Sequence, residues 1–477
     1  MNDDRRNAPV SGPNVTSALH RPPGPGGPEV ARLLDDAVVR AKRYLDSLGT
    51  RPVRPDPKGV EGLAAWRHPL PQAPTDPHEV LKRLDETGTP ATMAMASGRF
   101  FGFVIGGSLP VSVAAHWLAS AWDQNVGLYQ VTPAVAELEQ VGLDWLVDLL
   151  GLPHGTGGGY VTGGTMANFT SLAAARREVL SRVDWDVERD GLYGAPEITV
   201  VVGAEVHPTL TKSLGLLGLG RSRAVVVPVD AQGRMRADVF PELRGPSIVC
   251  LQAGNVNTGS FDPLAELVPR AKAAGAWVHV DGAFGLWAAV SPRLKHLVAG
   301  IDGADSWATD AHKWLNVPYD CGLAFVREPA VLQRAMAVTA EYLPVGAERD
   351  PSHYTPELSR RARGTEVWAA LLSLGRDGVR DMIERSCRHA TRFAEGLRAA
   401  GFEVLNDVVL NQVLVSFGSP RQTERAIAAI VADGTCWVGG TVWQGRTAMR
   451  ISLCSWATTD EEVERSLDAM VRTGKQA

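Results

Sequence analysis

Five short runs of β-branched and other apolar residues, spread over residues 155–330, constrain the fold of this chain more than any other feature. They are ITVVV at 198–202, AVVVPV at 224–229, SIVCL at 247–251, AWVHV at 276–280 and GLAFV at 322–326. Strands that alternate with helical segments in this way form a mostly parallel sheet covered on both faces. Because ligands of such sheets bind beyond the carboxyl ends of the strands, polar residues that follow each run are the candidates for chemistry.

The rest of the chain divides into further segments. Residues 1–27 are rich in proline and lack an apolar core, which predicts a disordered leader rather than a signal peptide. Residues 28–120 begin with a helical pattern and predict an N-terminal helical arm followed by a substrate-side segment. Residues 121–360 are expected to form the large α/β domain. The helical and strand-like stretches of 361–477 predict a small C-terminal α+β domain.

One helix is predicted in detail, within TPAVAELEQVGLDWLVDLLGLP at 132–153. It begins with a threonine suited to capping and a proline suited to the first helical position. Leu138, Val141, Trp145 and Leu149 fall on one side at helical spacing. We therefore expect that side of the helix to be buried.

Charge and cysteine content disfavour several classes of protein. The net charge is −5, and the basic residues are scattered rather than interleaved with aromatic residues, so neither nucleic acid nor a membrane surface is an expected partner. No apolar stretch of the sequence is long enough to span a bilayer. The five cysteines are widely spaced without a CxxC pair, which fits a reducing cytoplasm better than a disulfide framework or a zinc site. A small-molecule ligand is the expected partner.

A glycine-rich turn joins a predicted strand to a predicted helix in GGGYVTGGTMANFTSLAAARRE, residues 157–178. Free N–H groups and the dipole at the start of a helix bind anions, and Gly163, Gly164 and Thr165 would let a phosphate approach the backbone. The segment contains neither GxxxxGK[ST] nor a complete GxGxxG followed by an acid, which disfavours an ATP or dinucleotide site. An ordinary glycine turn with a threonine cap explains the same residues equally well.

Three more polar residues stand beside the predicted strands. Asp281 follows AWVHV directly, His207 lies in the turn after ITVVV, and Lys313 lies within SWATDAHKWLNVPYDCG. Only eight of the 48 basic residues are lysines, and a desolvated lysine, unlike arginine, can become a nucleophilic amine. Each residue also has a structural interpretation: a turn-forming aspartate, a structural histidine, and a lysine whose stem covers apolar surface.

These residue types together are the components of a pyridoxal phosphate site. Such a site needs a phosphate-binding turn, a group that stacks on the ring, an anion for the pyridine nitrogen and an amine for the aldehyde. Lys212, in the helix predicted after His207, is a rival amine, but a lysine in an amphipathic helix is more often solvated. The combination favours Lys313 and a pyridoxal 5'-phosphate cofactor.

Over residues 80–470 the chain resembles the group II pyridoxal-phosphate-dependent amino acid decarboxylases, the family of aromatic-L-amino-acid and glutamate decarboxylases. DAHKWLNVPYDCG is similar to the family's Schiff-base lysine segment, HVDGAFG to the segment of its pyridinium aspartate, and GGTMANFTSLAAAR to its phosphate loop. The resemblance implies an aspartate-aminotransferase-like (type I) α/β fold, with a mostly parallel seven-stranded sheet in the large domain. It also implies decarboxylation of an L-amino acid to its amine and CO2, by a cytoplasmic homodimer with shared active sites.

The resemblance further implies a role for each matching residue around the cofactor. Lys313 is the Schiff-base lysine and Asp281 pairs with the ring nitrogen. His207 stacks on one face of the ring and Ala283 packs against the other. Gly164, Thr165 and Ser306 contact the phosphate, and His312 lies near the phosphate or the reacting carbon.

Less direct matches imply the remaining parts of the site. Tyr354 is the expected proton donor, on a loop that closes over the cofactor. Phe101, Gly106, Leu128 and Tyr129 are the expected substrate-pocket residues, the last two reaching over from the partner subunit.

Asp310 stands where the family usually has asparagine, which makes it a poor phosphate ligand, and Met166 stands where a hydroxyl residue is common. Gly106 and Gly107 differ from aromatic-specific enzymes, so the substrate side chain does not follow from the resemblance.

Other activities fit parts of the same pattern. Within pyridoxal chemistry the alternatives are a carbon–carbon lyase and an oxygen-using decarboxylating aldehyde synthase, and a catalytically silent pyridoxal-binding homologue is a further one. His279-x-Asp281 and Asp310-x-His312 have a spacing open to a metal hydrolase. That interpretation leaves Lys313 and the glycine turn unexplained, so no metal is expected.

Overall fold

A computed structural model describes residues 26–337 and 348–476. Two compact units are present: three N-terminal helices within 26–51 and 55–93, and a larger unit formed by 52–54 and 94–476. The predicted leader, 1–27, lies outside the described residues except for its last two positions. Within the described ranges, no helix combines the length and apolar character that a membrane crossing requires.

The helices and strands of the described residues are numbered here in chain order. The α-helices are α1 Pro28–Ser47, α2 Pro57–Gly62, α3 Pro77–Ala91, α4 Pro110–Trp122, α5 Pro133–Leu149, α6 Gly164–Ser181, α7 Val187–Asp190, α8 Pro208–Leu216, α9 Leu264–Ala273, α10 Pro329–Met336, α11 Gly364–Ala399, α12 Pro420–Asp433 and α13 Asp460–Gly474. The strands are β1 Gly157–Val161, β2 Thr199–Gly203, β3 Val225–Val227, β4 Ser247–Gln252, β5 Trp277–Asp281, β6 Ser306–Asp310, β7 Gly322–Val326, β8 Glu403–Val404, β9 Gln412–Ser416, β10 Gly439–Trp443 and β11 Arg446–Ser452.

The larger sheet has seven strands in the order β1-β7-β6-β5-β4-β2-β3. Strands β6, β5, β4, β2 and β3 pair in parallel, whereas β7 runs antiparallel to β1 and β6. The prediction of a mostly parallel seven-stranded sheet is therefore confirmed. All five apolar runs lie in it, and β6 is the strand that the residue pattern did not indicate.

Alternation along the central strands places helices on both faces of this sheet. On β5, Val278 and Val280 face the cluster that includes helices α5 and α11, while Trp277 faces the cluster that includes α6 and α8. Side chains two residues apart on a strand share a face. His279 and Asp281 therefore lie on the α6 side, together with Trp277.

A second, antiparallel sheet in the order β10-β11-β9-β8 forms the C-terminal part of the larger unit. Its core combines Val413, Ile451 and Phe393 with residues of α12 and α13. These elements correspond to the α+β pattern predicted beyond residue 361. The domain limits set from the sequence, at 120 and 360, stay a prediction.

Helix α5 occupies the predicted segment, but its buried side differs from the predicted one. Trp145 is 37% exposed, whereas Glu139 is fully buried. An acidic residue can occupy the buried side because the Arg360 guanidinium pairs with it at 2.5 Å and is itself buried. The Thr132 hydroxyl donates to the Asn125 carbonyl at 3.1 Å and does not cap the helix. A hydrophobic pattern does not reveal this ion pair, which allows an acidic residue on the buried side of the helix.

Candidate active site

A cavity of about 340 Å³ lies at the carboxyl ends of β5 and β6, beside the first turn of α6. This is the edge at which the sheet topology predicts a ligand. The sequence-predicted residues that line it are Gly164, Thr165, His207, Asp281, Ala283, His312 and Lys313. Residues distant in the sequence thus converge on one small volume.

Lys313 is held at the cavity by an ion pair with Asp310, the last residue of β6. The Nζ atom of Lys313 lies 2.8 Å from Oδ2 of Asp310. Burial opposes the charge on the ammonium, but the Asp310 carboxylate outweighs it and raises the pKa of Lys313 above its ordinary value. The lysine is therefore a cation in this structure and must lose a proton before it can act as a nucleophile.

His312 lies beside Lys313 and is fixed on two sides. Its Nδ1 accepts the backbone N–H of Cys321 at 3.1 Å, and its ring stacks on Tyr319 with centroids 4.4 Å apart. Burial lowers the pKa of His312, although Asp310 acts in the opposite direction. The neutral ring then carries its proton on Nε2, 3.6 Å from Oδ1 of Asp310.

His207 is placed by the start of helix α8. It is the N-cap residue, and its Nδ1 accepts the Thr209 backbone N–H at 3.3 Å and lies 2.7 Å from the Thr209 hydroxyl. Burial lowers the pKa of His207, which favours a neutral ring with the proton on Nε2. A neutral, locally anchored imidazole is suited to stacking on a flat ligand.

Asp281 ends strand β5 and is 5% exposed. Its Oδ2 accepts the side-chain amide of Asn168 at 2.9 Å, and its Oδ1 accepts the backbone N–H of Ala283 at 3.1 Å. Both oxygens thus receive a donor, which fixes the orientation of the carboxyl group. Asn168 lies in α6, fully buried, and was not predicted from the sequence.

The glycine turn before α6 is closely packed against the lysine segment. Gly163 has φ 149°, and a Cβ at this position would lie 3.0 Å from Cε1 of His312. The N–H groups in the first turn of a helix have no intrahelical partner. The turn therefore offers backbone donors to an anion, and the side chains nearest to Gly163 and Gly164 are His312 and Asp310 of the lysine segment.

Ser306 does not line the cavity, although it was predicted to contact the phosphate. It is the first residue of β6, four residues before Asp310, which corresponds to roughly 13 Å along a strand. Its hydroxyl accepts the indole N–H of Trp277 at 2.8 Å and lies 2.9 Å from Nδ1 of His279. The geometry gives no support to a phosphate contact from Ser306.

Tyr354 also lies away from this cavity. Its hydroxyl accepts an N–H of the Gln333 side chain at 2.7 Å, and the Arg349 guanidinium lies 4.1 Å from its ring centroid. It lines a separate cavity with Gln140 and His154. Within its own chain, Tyr354 is not placed to give a proton to a ligand beside Lys313.

The four expected pocket residues are likewise absent from the cavity lining within the described chain. Phe101 is buried in the core of the small sheet, with its ring 5.2 Å from that of Phe393. Gly106 packs on the backbone of Lys313, because a Cβ there would lie 1.9 Å from the Lys313 carbonyl oxygen. Leu128 and Tyr129 precede α5. The backbone N–H of Tyr129 donates to Oδ1 of Asp350 at 2.8 Å.

The described ranges contain no set of side chains that could serve as the metal site of a hydrolase. There, no three or more His, Cys, Asp and Glu side chains come together as metal ligands would. Both ring nitrogens of His279 are hydrogen-bonded within the protein, to Ser306 and Asn168.

Known proteins share this architecture and sequence pattern. Residues 65–418 match the family model described as the pyridoxal-dependent decarboxylase conserved domain. The chain is 27% identical to tryptophan decarboxylase 1 of Oryza sativa subsp. japonica over 93% of each protein. It is 29% identical to L-2,4-diaminobutyrate decarboxylase of Rhizobium meliloti (strain 1021), over 88% of this chain and 86% of the relative.

Among solved structures, that of Oryza sativa TDC with PLP and tryptamine has a similar fold. The TM-score is 0.86 at 24% identity, and the match covers 94% of this chain and 98% of that one. The expected fold class is therefore confirmed.

Proposed function

This chain belongs to the pyridoxal-dependent decarboxylase family, and from that premise we propose how its residues remove the carboxyl group of an L-amino acid. The observation that carries the proposal is the convergence of Lys313, Asp281 and the glycine turn on one cavity of about 340 Å³. The cofactor is pyridoxal phosphate, and the reaction releases CO2 and the corresponding amine.

The residues of the cavity fit this cofactor. The turn at Gly163 and Gly164 supplies backbone donors for a phosphate, and Lys313 supplies the amine for the aldehyde. Asp281 supplies an anion for the pyridine nitrogen, while His207 and Ala283 supply surfaces for a flat ring. When bound, the cofactor supplies an electron-withdrawing ring that accepts the electron pair left as CO2 departs.

The protein's own part is to hold protons and exclude water. Asp281 would keep a proton on the ring nitrogen, since an opposite charge in a shielded site favours the protonated form. His312 would orient the substrate carboxyl or the phosphate through its Nε2–H. Lys313, once free of its extra proton, would be available to exchange a proton at the reacting carbon.

We also propose that the protein acts as a homodimer in the cytoplasm. Leu128 and Tyr129 lie outside the cavity of their own chain, which supports the idea that they complete the cavity of a partner. Helix α4 supports an interface as well, because Trp117, Leu118 and Trp122 are 42%, 55% and 45% exposed. The cysteines of the chain are free thiols, which fits a reducing compartment.

A substrate screen tests the proposed reaction. The purified protein, loaded with pyridoxal phosphate, would be incubated with each natural amino acid, and CO2, amine, ammonia and hydrogen peroxide would be measured together. We expect CO2 and amine in equal amounts for at least one amino acid. Peroxide and ammonia in proportion to CO2 would instead identify an aldehyde synthase, and no turnover with any amino acid would contradict the proposal.

Asp310→Asn is expected to accelerate cofactor binding at neutral pH. Burial lowers the pKa of Lys313 but Asp310 raises it above its ordinary value, and a lower pKa gives a larger share of neutral amine. The substitution also removes an anion beside the proposed phosphate position. Stopped-flow absorbance after mixing apoenzyme with pyridoxal phosphate would measure the second-order rate constant.

Asp305→Asn is a matched control for that experiment. Asp305 precedes the opposite end of the same strand and pairs with Lys272 at 2.6 Å, outside the cavity. We expect its substitution to leave the binding rate unchanged. An Asp310→Asn protein that binds pyridoxal phosphate no faster than the Asp305→Asn protein would contradict the assigned effect of Asp310 on Lys313.

A further inference from the structure

A continuous series of buried hydrogen bonds runs behind Asp281. The indole Nε1 of Trp277 lies 2.8 Å from the Ser306 hydroxyl, which lies 2.9 Å from Nδ1 of His279. Nε2 of His279 lies 2.8 Å from Oδ1 of Asn168, whose amide nitrogen lies 2.9 Å from Oδ2 of Asp281. All five side chains are 5% exposed or less. We call these five hydrogen-bonded side chains the Trp277–Asp281 series.

The sheet explains why these residues meet. Trp277, His279 and Asp281 alternate along β5 and share its α6 side. Ser306 is directly opposite His279 in the parallel register of β5 and β6. Asn168 comes from the second turn of α6, which packs on this face. The Trp277–Asp281 series is thus built from three elements that also form the cavity.

The chemistry of its two ends fixes the direction of every hydrogen bond. An indole nitrogen can only donate, so the Ser306 oxygen accepts from Trp277. At the other end a carboxylate can only accept, so the Asn168 amide turns its N–H toward Asp281 and its Oδ1 toward Nε2 of His279. Nε2 therefore carries the proton of the neutral imidazole, and Nδ1 accepts the single proton of Ser306. A reversed amide would put an oxygen against the carboxylate and an N–H against the N–H of His279.

We propose that Trp277, Ser306, His279 and Asn168 are positioning residues, whose one-way donation holds the Asp281 carboxylate oriented toward the pyridine nitrogen of the cofactor. This inference rests on the proposed role of Asp281. Burial lowers the pKa of His279 to about 4, so the imidazole stays neutral at ordinary pH, as the series requires. His207 and Lys313 interact electrostatically with Asp281 at the cavity end. Cys250 is opposite His279 on β4, and burial raises the pKa of its thiol.

Asn168→Leu tests the proposed role, because leucine has nearly the shape of asparagine but carries neither the donor to Asp281 nor the acceptor for His279. The readout is the ratio of two dissociation constants for the apoenzyme, one for pyridoxal phosphate and one for an analogue with carbon in place of the ring nitrogen. Both ligands make the same phosphate and aldehyde contacts. The ratio therefore reports only on the interaction of Asp281 with the ring nitrogen, and general loss of stability does not change it.

For the natural protein we expect the analogue to bind at least about tenfold more weakly, as one charge-assisted hydrogen bond predicts. Asn168→Leu should reduce this ratio to near one, and Ser306→Ala, which breaks the series farther away, should give an intermediate ratio. Asn406→Leu is the matched control. Asn406 is also buried, and it donates to the Thr258 and Gln412 carbonyls at 3.0 and 2.9 Å, so its substitution should leave the ratio unchanged.

The outcomes separate this inference from the proposed function. If the natural protein shows no discrimination between the two ligands, the pairing of Asp281 with the ring nitrogen is wrong and the proposed function loses that step. If the natural protein discriminates and Asp281→Asn abolishes this, but Asn168→Leu and Ser306→Ala keep it, Asp281 acts alone. The positioning role of the series is then overturned, while the proposed function stands.

Discussion

Replacing Lys313 with alanine is expected to reduce decarboxylation by about 10⁴-fold or more. The substitution removes the amine that would bind the cofactor aldehyde and the group that would exchange a proton at the reacting carbon. A single proton-transferring side chain already contributes about 10²–10⁴-fold to a rate. The measurement is CO2 release at saturating pyridoxal phosphate, with the substrate found in the screen.

Lys313→Arg serves as a second variant, because alanine would leave the buried Asp310 carboxylate without its partner. Arginine keeps the positive charge beside Asp310 but cannot form the bond to the cofactor. We expect it to be folded and as inactive as the alanine variant. Full activity in either variant would refute the assignment.

Lys212→Ala is the matched control on the same side of the sheet. Lys212 is exposed on α8, and its replacement should change neither turnover nor cofactor binding. Borohydride reduction of the loaded protein, followed by peptide mapping, adds a readout independent of turnover. The label is expected on the peptide with Lys313 in the natural and Lys212→Ala proteins, and a label on Lys212 would show that the wrong lysine was chosen.

The strands were predictable from the sequence where apolar, β-branched residues form the buried part of the sheet. The runs around Val200, Val249 and Val278 are β-branched and buried, so composition alone indicates strands. Strand β6 was missed because Ser306, Thr309 and Asp310 are polar. Their burial depends on partners elsewhere in the chain, such as Trp277 for Ser306 and Lys313 for Asp310, and no local pattern reveals such partners.

Some residues of the candidate site were likewise predictable from the sequence, and others were not. Asp281 ends a predicted strand, so topology places it at the ligand-binding edge of the sheet, whereas Lys313 was assigned from its residue type and the resemblance, because the strand before it was not predicted. Asn168 was missed because a single polar residue in an Ala-rich helix gives no signal until the helix is placed against Asp281 and His279. Ser306 and Phe101 were assigned to the cavity by resemblance. Ser306 lies at the end of β6 that is far from the cavity. Phe101 is buried in the core of the small sheet.

Gly106→Ala is expected to destabilise the protein by about 2–3 kcal/mol and to slow turnover about 10²-fold. The added methyl group would lie 1.9 Å from the carbonyl oxygen of Lys313. A backbone atom cannot rotate away, so either the 106 segment or the Lys313 backbone must shift. Overpacking of this kind costs about 1–3 kcal/mol, and a displacement of about 1 Å at a reacting group can cost 10²-fold in rate.

Two alanine substitutions separate loss of stability from displacement of Lys313. At Gly98 a methyl group would lie 2.4 Å from the carbonyl oxygen of Ala457, so Gly98→Ala should destabilise the protein as much without moving Lys313. At Gly107 the nearest atom is the Ser455 hydroxyl at 3.0 Å, a side chain that can rotate, so Gly107→Ala should have little effect. Thermal unfolding and turnover, measured well below the unfolding midpoint, would show both effects. If Gly106→Ala slows turnover no more than Gly98→Ala, the close packing of Gly106 on Lys313 serves stability alone.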